Sequence, residues 1–232
     1  MSRRVEELAF ADTPIGEINL RRRRDPLSGV DVFEVKLGDE FLMSSLFVEA
    51  EEQVASLALA RLASERLAVV VGGLGLGYTA QQVLRDPRVS SLVVVDYLQP
   101  IIDWHVAGLV PVGPVLTADA RCRFLQGDFF ALSDGAGFGE PVDAIVVDID
   151  HSPQHQLSVG NEGFYSIPGT KRLARWLKTG GVYSLWSNDP PDQAYLDVLR
   201  AVFVDVEAVV VSFPNPLQDR VATNTVYLAT KA

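Results

Sequence analysis

The chain has 232 residues, 48% of them hydrophobic, enough for one full core with an appendage. Thirty acidic against 20 basic side chains leave a formal net charge of −10, which argues against a non-specific nucleic-acid surface and suits a cationic small substrate. No apolar run approaches the roughly 20 residues a membrane helix needs, so no membrane partner is expected.

The start, Met1-Ser-Arg-Arg-Val-Glu-Glu7, carries no apolar signal segment, so a cytoplasmic protein is expected. Ile15–Arg24, Val30–Leu37 and Glu40–Phe47 alternate or nearly alternate and are separated by turn chemistry at Asp25-Pro-Leu-Ser-Gly29 and Gly38-Asp39. They predict a small N-terminal β-meander, with Phe33, Val35, Phe41 and Leu42 on its buried face. The Arg21–Arg24 run reads as the solvated half of an edge strand. Such a sheet is too small to stand alone and must pack on the rest of the chain or on a second subunit.

Glu49–Leu62 has helical spacing, with Glu49, Glu51 and Glu52 in the first turn, where carboxylates favour the dipole. Then come an apolar run from Leu67 to Val71, the glycine loop Gly72-Gly-Leu-Gly-Leu-Gly77, helix-like sequence from Tyr78 to Leu84, and a second apolar run ending at Asp96. Strand, turn, helix and strand with a carboxylate about twenty residues beyond the glycines is the pattern of nucleotide- or nucleoside-binding α/β units. Gly73-x-Gly75-x-Gly77 fits a loop for an S-adenosylmethionine-type ligand. Gly75-x-Gly77-x-x-Ala80 fits the dinucleotide pattern instead, and a tight turn that binds nothing is the third reading. In any binding loop the glycines bring a ligand close to the backbone, and Asp96 can accept from two ribose hydroxyls.

Pro100–Gly108 reads as a helix stopped by Gly108 and the proline-rich Val110-Pro-Val-Gly-Pro114. Cys122 is the sole cysteine, which excludes an intrachain disulfide and a thiolate metal cluster. Arg123–Gln126 is a short strand ending at Gly127-Asp128, and Val142–Ile149 an apolar strand ending in Asp148 and Asp150. Gly169–Lys178 is predicted helical, with Gly180-Gly181 as its C-cap. Val182–Trp186 is a further strand and Asp192–Val202 a helix. Val204–Phe213 and Val221–Thr230 then form a terminal hairpin. The fold class that follows is α/β: a doubly wound, mostly parallel seven-stranded sheet of methyltransferase-like Rossmann type. Its expected division is a β-meander over 1–48 and a nucleoside-binding domain over 49–232. The terminal hairpin, which the dinucleotide fold lacks, favours the sulfonium ligand.

Acidic residues close consecutive strands, and in a doubly wound sheet the ligand lies across those carboxyl ends. Asp96 would take the ribose and Asp128, after Gly127, an exocyclic amine of adenine. Asp148, with Asp150 beside it, would face the reacting end, where a carboxylate can bind an ammonium group and take its proton. His151 and His155 are four apart, but Pro153 makes a shared helical face unfavourable. No metal is expected, and His151 is read as part of a loop beside the substrate. Tyr165 and Trp186, with Asn188 and Asp189, fall where acceptor-side residues would sit, with packing or capping as the favoured alternative for each.

In this order the residues resemble the spermidine synthase (polyamine aminopropyltransferase) family over most of the chain. The match runs through the β-meander, Gly73-Leu-Gly-Leu-Gly77, Asp96, Gly127-Asp128 and Val147-Asp148 before a Pro-containing loop. Glu162-Gly-Phe-Tyr165 and Thr179-Gly-Gly-Val182 complete it. The resemblance implies a class I S-adenosylmethionine-dependent methyltransferase fold and transfer of an aminopropyl group from decarboxylated S-adenosylmethionine to putrescine. It also implies Asp148 as the catalytic carboxylate, Asp96 and Asp128 on the nucleoside, and a homodimer formed through the β-meander. The departures are specific. The family's glycine loop is GGGDGG, whose Asp contacts the aminopropyl amine, and Leu76 is read at that position. The family's DSSDP-like motif has become Asp148-Ile-Asp-His-Ser-Pro153, one residue longer, with Asp150 or His151 in place of the second Asp. The family's Tyr-His pair in the helix before the first strand is absent, with Ala55-Ser56 there instead. Loss of a carboxylate from an ammonium site removes a charge-assisted contact of roughly 1.5–3 kcal/mol. Three functions stay open: an aminopropyltransferase, an S-adenosylmethionine-dependent methyltransferase of a small molecule, and a catalytically inactive dimer of the same fold.

Overall fold

The computed structural model describes residues 5–215 and 220–232. It contains two sheets. The first is an antiparallel meander of β1 (Val5–Thr13), β2 (Gly16–Arg24), β3 (Asp31–Leu37) and β4 (Glu40–Ser44), one strand more than predicted. The missed strand, β1, alternates weakly and pairs with β2 through a bulge between Glu7 and Ala9.

β2 is therefore interior, which corrects its reading as an edge. Its arginines pair with acidic neighbours on the strands beside it, Arg21 and Arg23 largely covered and Arg24 still exposed. Arg21 and Arg23 both hold Glu34 of β3, at 2.8 and 2.7 Å, and Arg22 holds Glu6 of β1 at 2.6 Å. The buried face is set by register: Leu20 of β2 lies opposite Val35 of β3, and Val35 opposite Met43 of β4. Ile18, Leu20 and Val35 are fully buried there. Phe41, expected on that face, is 53% exposed on the other, beneath the Arg21 guanidinium at 4.6 Å.

The second sheet has β5 (Leu67–Gly72), β6 (Val89–Asp96), β7 (Cys122–Gln126), β8 (Val142–Val147), β9 (Leu177–Ser187), β10 (Val204–Asn215) and β11 (Arg220–Thr230). Their order is β10-β11-β9-β8-β5-β6-β7, and β11 alone runs against its neighbours. This is the expected doubly wound seven-stranded sheet closed by a hairpin, and the chain reverses direction between β5 and β8. Val69, Val70 and Val71 are each at most 1% exposed, because helices cover both faces of a parallel sheet.

One face is covered by α1 (Glu49–Ala60), α2 (Tyr78–Arg85), α3 (Gln99–Val106), α4 (Gly113–Ala118) and the meander. The other carries α5 (Phe129–Asp134), a 3₁₀ segment at Val159–Tyr165, α6 (Ile167–Ala174) and α7 (Gln193–Arg200). The proline-rich stretch after α3, expected as a stop, starts α4 instead, since Pro114 falls in the first turn, where a missing N–H costs nothing. Gly180-Gly181 does not cap α6. That helix ends at Ala174, and the glycines lie within β9, where Gly180 N–H donates to Lys231 and Lys231 N–H to Gly181.

Candidate active site

The carboxyl ends of β5, β6 and β8 open into two joined hollows. The larger, about 250 Å³, is lined by Asp96, Tyr97, Ile101, Asp128, Phe129, Phe130 and Asn161. The smaller, about 160 Å³, is lined by Glu51, Tyr78, Thr79, His151 and Trp186. Leu42 and Met43 of β4, the loop backbone at Gly73 and Gly75, Asp148, Ile149 and Leu157 line both, so the meander roofs the cleft and Asp148 stands at its junction. The same Leu20–Val35–Met43 row that buries the meander carries Met43 into the site.

The glycine loop is backbone-tight. Gly73 has φ +93°, and a Cβ there would lie 2.0 Å from the Asp148 carbonyl oxygen. Loop and β8 end thus meet with no room for a side chain. Four of the loop's N–H groups are spent inside the protein. Gly73 donates to Val95, Gly77 to Leu74, and Leu74 to Asp96 Oδ2 at 2.9 Å, while Gly75 also bonds the Asp96 carboxylate. A pyrophosphate needs such groups free and pointing outward. Those four N–H groups are not available to a pyrophosphate, which counts against the dinucleotide register.

Asp96 also accepts from Leu98 N–H through Oδ1 at 2.8 Å, so both its oxygens are fixed and each keeps lone pairs for a sugar hydroxyl. Burial raises its pKa against those backbone bonds. Gly127 N–H donates to the Asp96 carbonyl, and Asp128 caps α5 by accepting from Phe130 and Ala131. Asp128 is thus both a capping residue and part of the larger hollow's wall.

His105, which sequence reasoning passed over, holds the loop from behind. Fully buried, it places Nε2 at 3.0 Å from the Gly75 carbonyl oxygen. Burial lowers its pKa to about 4, so the ring is neutral at physiological pH and Nε2 carries the donated proton.

Asp148 accepts from Thr79 Oγ1 at 2.8 Å. Burial raises its carboxyl to about 6 against that hydrogen bond. Glu51 of α1 lines the same hollow and is pushed up to about 8 by burial and then by the Asp148 charge. Trp186 Nε1 and His151 Nε2 have no hydrogen-bond partner among the described residues, and His151 Nε2 stands 3.5 Å from Glu40 at the rim.

Two expected site residues lie elsewhere. Asp150, expected beside Asp148 in the chemistry, is 1% exposed and closed off by donors: Leu157 N–H, the Asn161 amide, and the Tyr165 hydroxyl at 2.8 Å. It lines neither hollow, and nor does Tyr165, which is buried against Phe164 and Tyr195. Together they fold back the loop that carries Leu157 and Asn161 to the cleft. Asn188 and Asp189 likewise hold loops, Asn188 through the His151 carbonyl and Asp189 through Ser152 and His155. Leu76 is 4% exposed, at the wall of the smaller hollow. β5 ends at Gly72, so a six-residue loop counted from there has Gly75 as its fourth place rather than Leu76. A Cβ at Gly75 would meet Met43 Sδ at 2.9 Å. No carboxylate stands anywhere in this loop, and Met43 fills the space beside it.

No protein-family model matches the chain. Solved structures do. The spermidine synthase from Thermotoga maritima superposes with a TM-score of 0.73 at 16% identity, over 97% of this chain and 72% of that one. A spermidine synthase in complex with the transition-state analogue AdoDATO gives 0.75 at 16%, over 97% and 74%. A probable spermidine synthase from Corynebacterium glutamicum gives 0.68 at 16%, over 96% and 79%. The chain has a spermidine synthase-like fold. The likeness includes the small N-terminal sheet as well as the seven-stranded one, since nearly the whole chain is covered. At 16% identity it carries architecture, and within the spermidine synthase-like fold the chemistry has to be argued from the residues in the cleft.

Proposed function

We propose that the protein is an aminopropyltransferase that takes decarboxylated S-adenosylmethionine as co-substrate and a polyamine-type amine as acceptor. The observation that carries this reading is Asp148, a carboxylate raised toward neutrality at the junction of a nucleoside-sized hollow and a smaller acidic one. The larger hollow takes the adenosine, with Asp96 on the ribose, Asp128 on the adenine edge, and the backbone of Gly73 and Gly75 beneath. Among the described residues lining either hollow there is no Lys or Arg. A donor that kept its carboxylate would meet Glu51 and Asp148 and no countercharge, which favours the decarboxylated donor.

The chemistry asked of the protein is small. An acceptor ammonium gives one proton to Asp148. The freed amine attacks the carbon next to the sulfonium in line, the C–S pair leaves with sulfur as a neutral thioether, and the new N–C bond yields a secondary ammonium. Positioning and proton removal are the protein's contributions. Trp186 lines the smaller hollow, where an indole can attract a cation.

The reading extends to assembly: residues 1–48 form the face of a homodimer, with residues 49–232 as the nucleoside-binding unit. Phe10 and Phe41, both more than half exposed on this sheet, support it, with Leu27 exposed in the turn between β2 and β3. A monomer in sedimentation at micromolar concentration would contradict it.

The second reading, an S-adenosylmethionine-dependent methyltransferase, is favoured by one feature, the glycine loop without a carboxylate. Incubation with putrescine and each donor separates the two. Spermidine from the decarboxylated donor is expected. Tight methylthioadenosine binding with no spermidine, and methylated product from S-adenosylmethionine, would decide for the methyltransferase. Nucleoside binding with neither product points to the inactive dimer.

A further inference from the structure

The acceptor hollow contains a charge that the glycine loop lacks. We propose that Glu51, on the first turn of α1, is the specificity-determining residue for the acceptor, forming with Asp148 a two-carboxylate clamp for one primary ammonium group. The inference rests on the aminopropyltransferase reading and names the group that selects its amine.

Three observations place Glu51 in this role. First, both carboxylates line one small hollow that opens into the nucleoside hollow at Asp148, so a cation held between them lies beside the reacting end. Second, Glu51 is held there by the fold. α1 presents Val54, Ala55, Ala58 and Leu59 to the core, and Ser184 of β9 donates to the Val54 carbonyl at 3.0 Å, fixing the helix's rotation. Third, among the described residues lining the two hollows there is no Lys or Arg to pair with either carboxylate. The loop's missing carboxylate therefore has a successor on a different element, reaching the amine from the opposite wall.

The ionisable groups facing Glu51 are Asp148 from β8, Tyr78 from α2, Glu49 and Glu52 from its own helix, and His151 across the hollow. Glu52 is paired outward with Arg85 at 2.8 Å. Without an acceptor the Glu51–Asp148 pair shares a proton at neutral pH, because burial and their mutual charge disfavour ionising both. An arriving ammonium replaces that proton, so acceptor binding releases it to solvent, and affinity rises with pH through the range where Glu51 ionises.

The test uses the full chain with methylthioadenosine as occupant of the nucleoside hollow. Putrescine is titrated calorimetrically at pH 7 in phosphate and in Tris, whose ionisation heats differ, and Glu51→Gln is compared with wild type. Proton release with wild type, its loss in the variant, and a roughly ten- to hundredfold weaker putrescine affinity (or higher KM) at unchanged methylthioadenosine affinity are expected. Partial recovery in Glu51→Asp is also expected. Methylthioadenosine binding doubles as the check that each variant folds. Unchanged putrescine affinity and proton release in Glu51→Gln, with spermidine formation intact, overturns the clamp and leaves the aminopropyltransferase reading standing. Absence of methylthioadenosine binding in wild type overturns both.

Discussion

At the end of the cleft lined by Asp96 the loop backbone and the carboxylate are already partnered, and the one buried polar side-chain atom without a partner among the described residues there is His105 Nδ1, behind the loop. Four loop N–H groups are spent on Val95, Leu74 and Asp96, Asp96 is bonded through both oxygens, and His105 holds the Gly75 carbonyl. At the acceptor end, among the described residues, Glu51 and Asp148 share a hollow with no Lys or Arg, and Trp186 Nε1 and His151 Nε2 lack hydrogen-bond partners. A site whose shape must be ready before the ligand arrives is built from satisfied groups. A site that must capture a charge keeps like charges close: the Asp148 charge adds to burial in raising Glu51, whereas Asp96 is raised by burial alone. The contrast separates scaffold from chemistry.

The largest test of that division is Asp148→Asn. Transfer should fall by about 10²–10⁴-fold, the usual contribution of a positioned base, with methylthioadenosine affinity unchanged. Wild-type turnover should rise with pH through about 6 as Asp148 ionises, and the residual activity of the variant should lack that step. Equal turnover in stopped-time product assays would remove Asp148 from its role.

Gly73→Ala should strike the other end. A Cβ 2.0 Å from the Asp148 carbonyl oxygen, on a backbone at φ +93°, forces loop and β8 apart. A loss of about 2–4 kcal/mol in denaturant unfolding and of nucleoside binding is expected. Normal binding calorimetry would show that the loop is not the cradle.

Glu51→Gln sharpens the contrast through stability. A carboxyl whose folded pKa is raised, here to about 8 from 4.5, holds a proton that the unfolded chain has lost. Wild-type stability therefore falls as pH rises from about 4.5 to 8. The variant should be more stable than wild type at pH 8, by about 1–3 kcal/mol or roughly 2–10 °C in Tm, with the gap closing below about pH 4.5. A pH-independent gap in thermal melts would contradict a buried, charge-coupled Glu51.

The smallest expected effect is Tyr165→Phe. It leaves Asp150 without one donor, costs about 1–2 kcal/mol of stability, and moves turnover by no more than the loosening of Leu157 and Asn161. A loss as deep as that of Asp148→Asn would return Tyr165 and Asp150 to the chemistry.

What could be read in the sequence follows the same line. The seven-stranded sheet was legible because buried parallel strands read as apolar runs and Gly73, Gly75 and Gly77 punctuate a backbone that needs positive φ. Asp96 and Asp148 were legible as carboxylates closing strands. Glu51 stood in a correctly placed helix but read as a dipole partner, because its facing group comes from a distant strand. Met43 and His105 gave no local signal, since their partners, Gly75 and the loop behind it, are brought near only by tertiary packing. Asp150 misled because β8 ends at Val147, so the two-residue spacing no longer keeps both carboxylates on one face and Asp150 turns to Leu157, Asn161 and Tyr165.

The account stands on one placement, and diffraction from crystals grown with methylthioadenosine measures it directly. The expected density puts the ribose hydroxyls on Asp96, the adenine toward Asp128, and the thioether sulfur facing Asp148 at the mouth of the hollow lined by Glu51. Density with the sulfur pointed away from Asp148, or a cleft that stays empty at saturating nucleoside, would contradict it.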